Sequence, residues 1–242
     1  MPIDHFINKL KRRNTRGVFN PWYAYSARTD HNKDAPEIRR QHLRAYLHQR
    51  EKAPYLLVAE ALGYQGGRFT GIPMTSERHL LGQLTDKGLT TELIFRDFKP
   101  SRTSAPSLRP MGFTEPTATI VWQTLQSLSS KNSKTKNTAS RPSQTPFDLY
   151  QVVLWNAFPW HPYDIQKGLL SNRLPSQSEF AEGIKILDLL MSILEPSKVI
   201  ALGNSAQSLL AKMGYQVPKV RHPARGGARD FRLQLAQEIA VK

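Results

Sequence analysis

Short apolar runs alternate with amphipathic segments along most of the chain. Apolar residues recur at roughly helical spacing in several stretches, which predicts helices over 35–50, 114–128, 177–194, 205–213 and 226–240, and the start of another over 75–81. Between them, short apolar runs predict four buried strands, over 55–59, 150–155, 198–202 and 217–220. Because strands and helices alternate, the sequence predicts an α/β fold, a three-layer α/β/α sandwich with a central, mainly parallel, four-stranded sheet.

Two segments lie outside this alternation. Residues 1–30 mix basic and aromatic residues, which predicts an N-terminal arm that packs on the body of the protein. Residues 129–145 contain no strongly apolar residue and are rich in Ser, Thr, Asn and Lys, so they predict a flexible insertion. Its lysines could contact phosphates, but a plain flexible loop is the simpler interpretation. We therefore expect a single domain over 1–242, with this arm and this insertion.

Polar side chains come at the ends of three of the predicted strands. Glu60, Asn156 and His222 each end or follow an apolar run. The carboxyl ends of parallel strands meet at one edge of a sheet, and ligands of α/β proteins bind at that edge. The sequence therefore predicts a composite site in which these three side chains converge.

The loop after the first predicted strand is rich in glycine. Its four glycines are Gly63, Gly66, Gly67 and Gly71. A glycine has no Cβ and tolerates positive φ, so the backbone can approach a ligand closely. Tyr64 and Phe69 lie in the same loop and are interpreted as pocket walls or as ordinary core aromatics. The loop thus predicts the floor of a ligand pocket, with Gly63 in contact with the ligand.

The chain carries a large excess of positive charge. It has 34 Lys and Arg against 19 Asp and Glu, for a formal net charge of +15. Such an excess commonly marks a polyanionic partner, although a basic protein without one is the plain alternative. Near the end of the chain, basic residues surround a glycine pair, in the order Arg221, Arg225, Gly226, Gly227 and Arg229. These five residues are predicted to bind nucleic-acid phosphates, and the alternative is a solvated helix start.

Several classes of function are excluded or disfavoured by composition. The chain has no cysteine, which excludes disulfides, thiolate nucleophiles and clusters held only by cysteine. No apolar run approaches the roughly 20 residues that span a bilayer, and the N-terminus has no apolar signal segment. We therefore expect a cytoplasmic protein with no membrane partner.

Three segments together carry a resemblance to a known family. AEALGYQGGRFTGIP, VLWNAFPWHP and RHPARGG, in this order, resemble the three motifs of the uracil-DNA glycosylase superfamily. The first resembles the water-activating motif, the second the strand-end asparagine motif, and the third the loop that enters the minor groove. The resemblance covers most of residues 55–235 and implies an enzyme that removes a base from DNA.

This resemblance implies a role for each strand-end side chain. Glu60 would orient water or stabilise the sugar cation, and His222 would stabilise the departing base. Asn156 would pair with the uracil edge, because a side-chain amide carries both a donor and an acceptor. The structural alternatives are a salt bridge for Glu60, a turn cap for Asn156 and a loop or core role for His222.

The motifs also depart from the family pattern. Leu62 stands where the first motif usually has proline, and Met74 stands where most branches have a phenylalanine that stacks on the base. A thioether packs on a base face less rigidly than a ring does. Met74, with Tyr64 or Phe69, is therefore the expected wall of the base pocket. The related branches hold an iron–sulfur cluster through cysteines, so any activity of this chain must be free of that cluster.

The sequence as a whole predicts a monofunctional DNA glycosylase. It would hydrolyse the N-glycosidic bond of uracil, or of a related deaminated base, in single- or double-stranded DNA, as a monomer without a metal or cofactor. Two alternatives stay open. Leu62 and Met74 favour a catalytically weak member that binds DNA or bases without excision. A hydrolase of free nucleosides or nucleotides is the other, and the net charge of +15 argues against it.

Overall fold

The chain folds into alternating strands and helices. The computed structural model describes residues 2–11, 13, 15–134 and 147–240. In chain order the elements are α1 (Pro2–Leu10), β1 (Val18–Phe19), α2 (Ala35–His48), β2 (Tyr55–Ala61), α3 (Gly67–Thr70), α4 (Glu77–Leu80), α5 (Pro116–Lys134), β3 (Val152–Phe158), β4 (His161–Pro162), α6 (Gln177–Leu194), β5 (Lys198–Leu202), α7 (Gly203–Lys212), β6 (Lys219–Val220) and α8 (Ala228–Ala240). Single 3-10 turns lie at Thr85–Lys87, Thr91–Leu93 and Leu149–Gln151.

The central sheet has four parallel strands in the order β3-β2-β5-β6. The register places Ala59 of β2 opposite Asn156 of β3, and Leu202 of β5 opposite Val220 of β6. The carboxyl ends of all four strands therefore lie at one edge, which confirms the sheet predicted from the apolar runs.

Helices flank this sheet. Helix α6 packs on β3 and on α1, which in turn packs on α2. Helix α7 contacts β2 and β5, and α8 contacts β6 and α5. The predicted three-layer α/β/α architecture is thus confirmed. Within the described ranges, no helix has both the length and the apolar character needed to cross a membrane.

Local sequence signals place several boundaries correctly. Helix α6 and strand β5 have the predicted bounds, and the α6 start is fixed by a capping box between Ser176 and Glu179. Strands β2 and β3 run further than predicted, so Glu60 and Asn156 lie inside strands and not after them. Strand β6 and helix α4 are shorter than predicted.

The structure describes most of the N-terminal segment but only the first residues of the predicted insertion. Residues 2–10 form α1, whose Ile3, Phe6, Ile7 and Leu10 are all buried in the core. Farther along, β1 pairs antiparallel with β4. Of the predicted insertion 129–145, residues 129–134 continue helix α5, and the remainder lies outside the described residues.

Strand β3 lies at an edge of the sheet and is nevertheless buried along its whole length. Two of its backbone groups are paired by side chains of α2 and of the turn after it. The amide of Leu154 donates to the Tyr46 hydroxyl at 2.8 Å, and Arg50 Nε donates to the Val152 carbonyl at 3.2 Å. An unpaired buried edge would be costly, so these two side chains allow an apolar strand to occupy this position.

Candidate active site

A cavity of about 420 Å³ opens at the carboxyl ends of the sheet strands. Its volume lies in the range of small-molecule sites. Glu60 from β2, Asn156 from β3 and His222 from the segment after β6 all line it. The parallel register accounts for this arrangement, since each side chain lies near the end of its own strand. The structure therefore brings the three predicted residues together in one cavity.

Asn156, which lines this cavity, has an unsatisfied amide oxygen. The residue is 1% exposed, and its Oδ1 has no hydrogen-bond partner among the described residues. An unpaired buried polar group costs about 1–3 kcal/mol, and native proteins keep few of them. Because Asn156 lines the cavity, a polar ligand bound there would satisfy this amide.

His222 is held in one orientation by its own loop. Its Nδ1 accepts a hydrogen bond from the Ala224 amide at 3.2 Å, which assigns the proton of the neutral ring to Nε2. Burial lowers the pKa of His222, the charge of Glu60 opposes this shift, and Arg221 and Arg225 lower the pKa further. The ring is therefore a neutral donor at pH 7, with Nε2–H as the donating group.

Glycines make room for the His222 segment. Gly203 has φ +86°, and a Cβ there would lie 3.1 Å from the His222 Cβ. At Gly227 a Cβ would overlap the His222 carbonyl oxygen. The close approach of β5, β6 and the start of α8 therefore requires glycine at both positions.

Met74 forms part of the cavity wall in an uncommon backbone conformation. Its φ is +49°, a region that costs a non-glycine residue about 1–2 kcal/mol. The Met74 carbonyl accepts a hydrogen bond from Trp122 Nε1 at 3.0 Å, which holds this conformation in place. Leu62 and Gly63 line the cavity beside it. Leu62 and Met74, the two residues that differ from the family motif, therefore both line the cavity.

Neither predicted aromatic wall residue lines the cavity. Phe69 is fully buried, with its ring stacked on Phe113 at 4.3 Å and under the Arg68 guanidinium at 4.3 Å. Tyr64 is partly exposed in the glycine loop, and its amide donates to Asn172 Oδ1 at 3.1 Å. The structure therefore places Phe69 in the core and Tyr64 beside the cavity, outside the residues that line it.

The predicted DNA-binding loop follows β6. Arg221, Arg225 and Gly226 are exposed, with φ +52° at Arg225 and +77° at Gly226. The charges of Arg221 and Arg225 act on His222, so both guanidinium groups lie near one side of the cavity. Arg229 is exposed in the first turn of α8. The cavity therefore has a basic rim on the β6 side.

Glu115 is a cavity residue that sequence reasoning missed. It precedes α5, and its carboxyl packs against the glycine loop, where a Cβ at Gly66 would overlap Oε2. Burial raises the pKa of Glu115 to about 7, so the carboxyl is largely neutral in weak acid and charged in weak base. The only signal in the sequence is an acidic residue before a helix-starting proline, which is common in proteins.

A second missed group comes from the loop between β4 and α6. Asn172, Arg173 and Leu174 from this loop line the cavity. Arg173 makes a two-pronged ion pair with Glu179, with both N–O distances at 2.7 Å. The location of this loop directly after the asparagine motif was the available signal.

Over the ranges that the structure describes, no group of three or more His, Asp and Glu side chains is arranged to hold a metal ion. The polar side chains that line the cavity are the carboxyls of Glu60 and Glu115, the amides of Asn156 and Asn172, the His222 imidazole, the Thr117 hydroxyl and the Arg173 guanidinium.

The chain is thus an α/β/α sandwich that holds an amide, an imidazole and a carboxylate at the carboxyl ends of its parallel strands. The family model of the uracil DNA glycosylase superfamily matches residues 48–239. The chain belongs to the uracil DNA glycosylase superfamily. The resemblance inferred from the three motifs is therefore confirmed.

A solved structure supports the same fold. The chain is similar to SMUG2 of Pedobacter heparinus, with a TM-score of 0.59 and 13% sequence identity. The match covers 99% of this chain and 97% of that one. No curated protein matches the chain. At this identity the similarity establishes the shared architecture.

Proposed function

We propose that the protein is a monofunctional DNA glycosylase that hydrolyses the N-glycosidic bond of uracil, or of a related deaminated base, in DNA. The observation that carries the proposal is the unsatisfied Asn156 Oδ1, buried at a cavity that Glu60 and His222 also line. Membership of the superfamily and the net charge of +15 support a DNA substrate.

Asn156 reads the base in this proposal. Its Nδ2 donates to a base carbonyl and its Oδ1 accepts from a ring N–H, which is the pattern that the uracil O4 and N3–H edge offers. Cytosine presents the reverse pattern and leaves both groups unpaired, at about 1–3 kcal/mol for each. The cavity thus selects a base with a carbonyl beside a protonated ring nitrogen.

Glu60 and His222 act on the two sides of the bond that breaks. As the sugar carbon and base nitrogen separate, positive charge develops on the sugar and negative charge on the base. Glu60 stabilises the sugar cation and accepts a proton from the water that attacks it. The Nε2–H of His222 donates to the base oxygen on which the negative charge collects. Bond cleavage thus transfers a hydroxyl to the sugar and releases the base as an anion that takes a proton from solvent.

The DNA must deliver the base out of the stack. A base that stays paired inside a duplex cannot enter the cavity, so the nucleotide is extruded at a cost of a few kcal/mol. Arg221 and Arg225, on the basic rim, neutralise phosphates beside the extruded nucleotide. The predictions that the protein acts as a monomer in the cytoplasm stay predictions.

Variants of the two donors test the proposal. We expect His222→Ala to lower single-turnover excision of uracil by about 10²–10³-fold, the usual loss for a donor to a developing anion. Asn156→Asp replaces the amide donor with an acceptor and should abolish selective excision. His31→Ala and Asn32→Asp, at exposed positions outside the cavity, should match the wild type.

The assay uses labelled single- and double-stranded oligonucleotides that contain one uracil, followed by alkali treatment. Strand cleavage supports the glycosylase. A gel shift without cleavage supports a member that binds without excision, the alternative that Leu62 and Met74 in the wall favour. Turnover of free nucleosides alone supports the nucleoside hydrolase. Unchanged excision by both active-site variants would refute the assignment of these residues.

A further inference from the structure

Two tyrosine rings are exposed on the loop that joins β1 to α2, residues 20–34, which we call the tyrosine loop. Tyr23 is 55% exposed and Tyr25 is 40% exposed, and Arg28 is also exposed. Within the described ranges, neither phenol group has a ring contact or a hydrogen bond. Exposed apolar residues are ordinary one at a time, but aromatic rings among basic residues are typical of surfaces that bind single-stranded nucleic acid.

A buried side chain holds the backbone of the tyrosine loop. Arg39, from α2, is fully buried, and its Nη1 donates to the carbonyls of Pro21 and Ala24 at 3.3 and 3.4 Å. Farther along the loop, Nη2 of the same arginine donates to Asp30 Oδ1 at 2.6 Å. The loop is therefore ordered before a ligand arrives, and an ordered aromatic surface loses little conformational entropy when it binds.

The tyrosine loop lies beside two segments that line the cavity. Trp22 Nε1 donates to the carbonyl of Gly71 at 3.2 Å, and Gly71 ends the glycine loop, whose Gly63 lines the cavity. Just before β1, the Gly17 carbonyl accepts a hydrogen bond from Nη2 of Arg173 at 3.0 Å, and Arg173 also lines the cavity. The tyrosine loop is therefore within reach of a DNA strand whose base occupies the cavity.

A second basic loop pairs with the tyrosine loop. The amide of Ala105 donates to the Thr29 carbonyl at 2.9 Å. Arg102 and Arg109 belong to this second loop, and Arg102 Nη1 donates to the Arg109 carbonyl at 3.0 Å. Among the described residues, Arg28, Arg102 and Arg109 have no ion-pair partner. Three cationic groups of the two loops are therefore available to phosphates, in keeping with the net charge of +15.

We propose that the tyrosine loop binds the single strand of DNA next to the nucleotide in the cavity, with Tyr23 and Tyr25 stacked on unpaired bases. The proposal rests on the proposed function and extends it, because it gives the enzyme a preference for damaged bases in single-stranded DNA. Every base has a π-face, so stacking on tyrosine tolerates any sequence, and the arginines of the two loops bind the phosphates. In a duplex the bases are already stacked and paired, so the two rings add little to binding.

The binding of fluorescent oligonucleotides, measured by anisotropy, tests this surface. Each oligonucleotide carries one 2′-fluorinated deoxyuridine, whose electron-withdrawing fluorine destabilises the sugar cation, so that binding is measured without excision. We expect Tyr23→Ala with Tyr25→Ala to weaken single-strand binding about tenfold or more, and duplex binding less than about twofold. Tyr23→Phe with Tyr25→Phe keeps both rings and should bind as the wild type does.

Tyr215→Ala is the matched control. Tyr215 is 37% exposed and precedes β6, at the end of the sheet opposite the cavity. Its replacement should leave both affinities unchanged. The proposal would be overturned if the double alanine variant weakened single-strand and duplex binding equally, or if Tyr215→Ala weakened single-strand binding to the same extent.

Removal of bases from the DNA locates the contact. Abasic nucleotides are placed first on one side of the uracil and then on the other. On one side they should weaken wild-type binding about tenfold and leave the double alanine variant almost unaffected. Equal losses in the two proteins would show that the rings do not stack on bases, and would also overturn the proposal. If the wild type excises ordinary uracil from no strand, the proposed function fails, and the same binding comparison still decides whether the tyrosine loop binds single strands.

Discussion

Burial shifts the pKa values of two cavity side chains, His222 and Glu115, in opposite directions. His222 is neutral at pH 7 because burial lowers its pKa and its neighbours Arg221 and Arg225 add to the shift. Glu115 changes state in the physiological range because burial raises its pKa to about 7. Glu60, His222 and Arg173 are the other ionisable groups that line the same cavity. The pH dependence of the reaction should therefore depend on Glu115.

We predict that excision slows as the pH rises through about 7, where Glu115 loses its proton. Above that pH, its carboxylate places a second negative charge near the departing base anion, which raises the barrier. Glu115→Gln stays neutral at all pH values and should keep its rate between pH 7 and 9. Single-turnover rates across this range test the prediction. An unchanged alkaline fall in the variant would assign the titration to another group.

At the scale of secondary structure, the edge strand β3 depends on a distant helix. Its amides and carbonyls face away from the sheet at the outer edge, and α2 supplies Tyr46 as the acceptor for one of them. Arg50 supports the same edge while its guanidinium lies over the Tyr46 ring at 4.1 Å. Because Asn156 is part of β3, this support also fixes the floor of the cavity.

Tyr46→Phe should therefore lower the free energy of unfolding by about 1–3 kcal/mol, because the Leu154 amide loses its only side-chain acceptor in a buried position. Denaturant unfolding followed by fluorescence measures the change. Tyr23→Phe, at a residue that is 55% exposed, is the control and should change stability little. Equal stability of wild type and Tyr46→Phe would show that water satisfies this edge.

For the whole molecule, the distribution of charge matters more than its total. The net charge is +15, and Arg221 and Arg225 place part of that charge beside His222 at the cavity. Phosphate contacts release counterions, so they set the salt dependence of DNA binding. The rim should thus determine that dependence, while general surface lysines contribute less.

We predict that Arg225→Ala and Arg221→Ala each reduce the slope of log K against log salt by about 1 for duplex DNA. Lys52→Ala is the matched control, because Lys52 is exposed just before β2, at the opposite end of the strands from the cavity. Fluorescence anisotropy from low to moderate salt measures the slopes. An equal reduction by all three variants would indicate binding by net charge alone.

Much of the architecture and the centre of the site could be predicted from the sequence by itself. Apolar runs determined the strands, and the amphipathic pattern determined α6. Parallel pairing required Glu60, Asn156 and His222 to meet at one sheet edge. These predictions succeed because they depend on local periodicity and on the general geometry of parallel sheets.

The remaining walls of the cavity were decided only by tertiary structure. Glu115 and Leu174 reach the cavity from loops whose path depends on how distant elements pack, and no local pattern encodes that path. The same packing places the Phe69 ring in the core, stacked on Phe113, and not in the wall of the cavity. Repeating backbone geometry places the ends of strands, so the sequence by itself determined where Glu60, Asn156 and His222 lie. Contacts within the folded chain place the side chains of loops, so only the tertiary structure decided which of them reach the cavity.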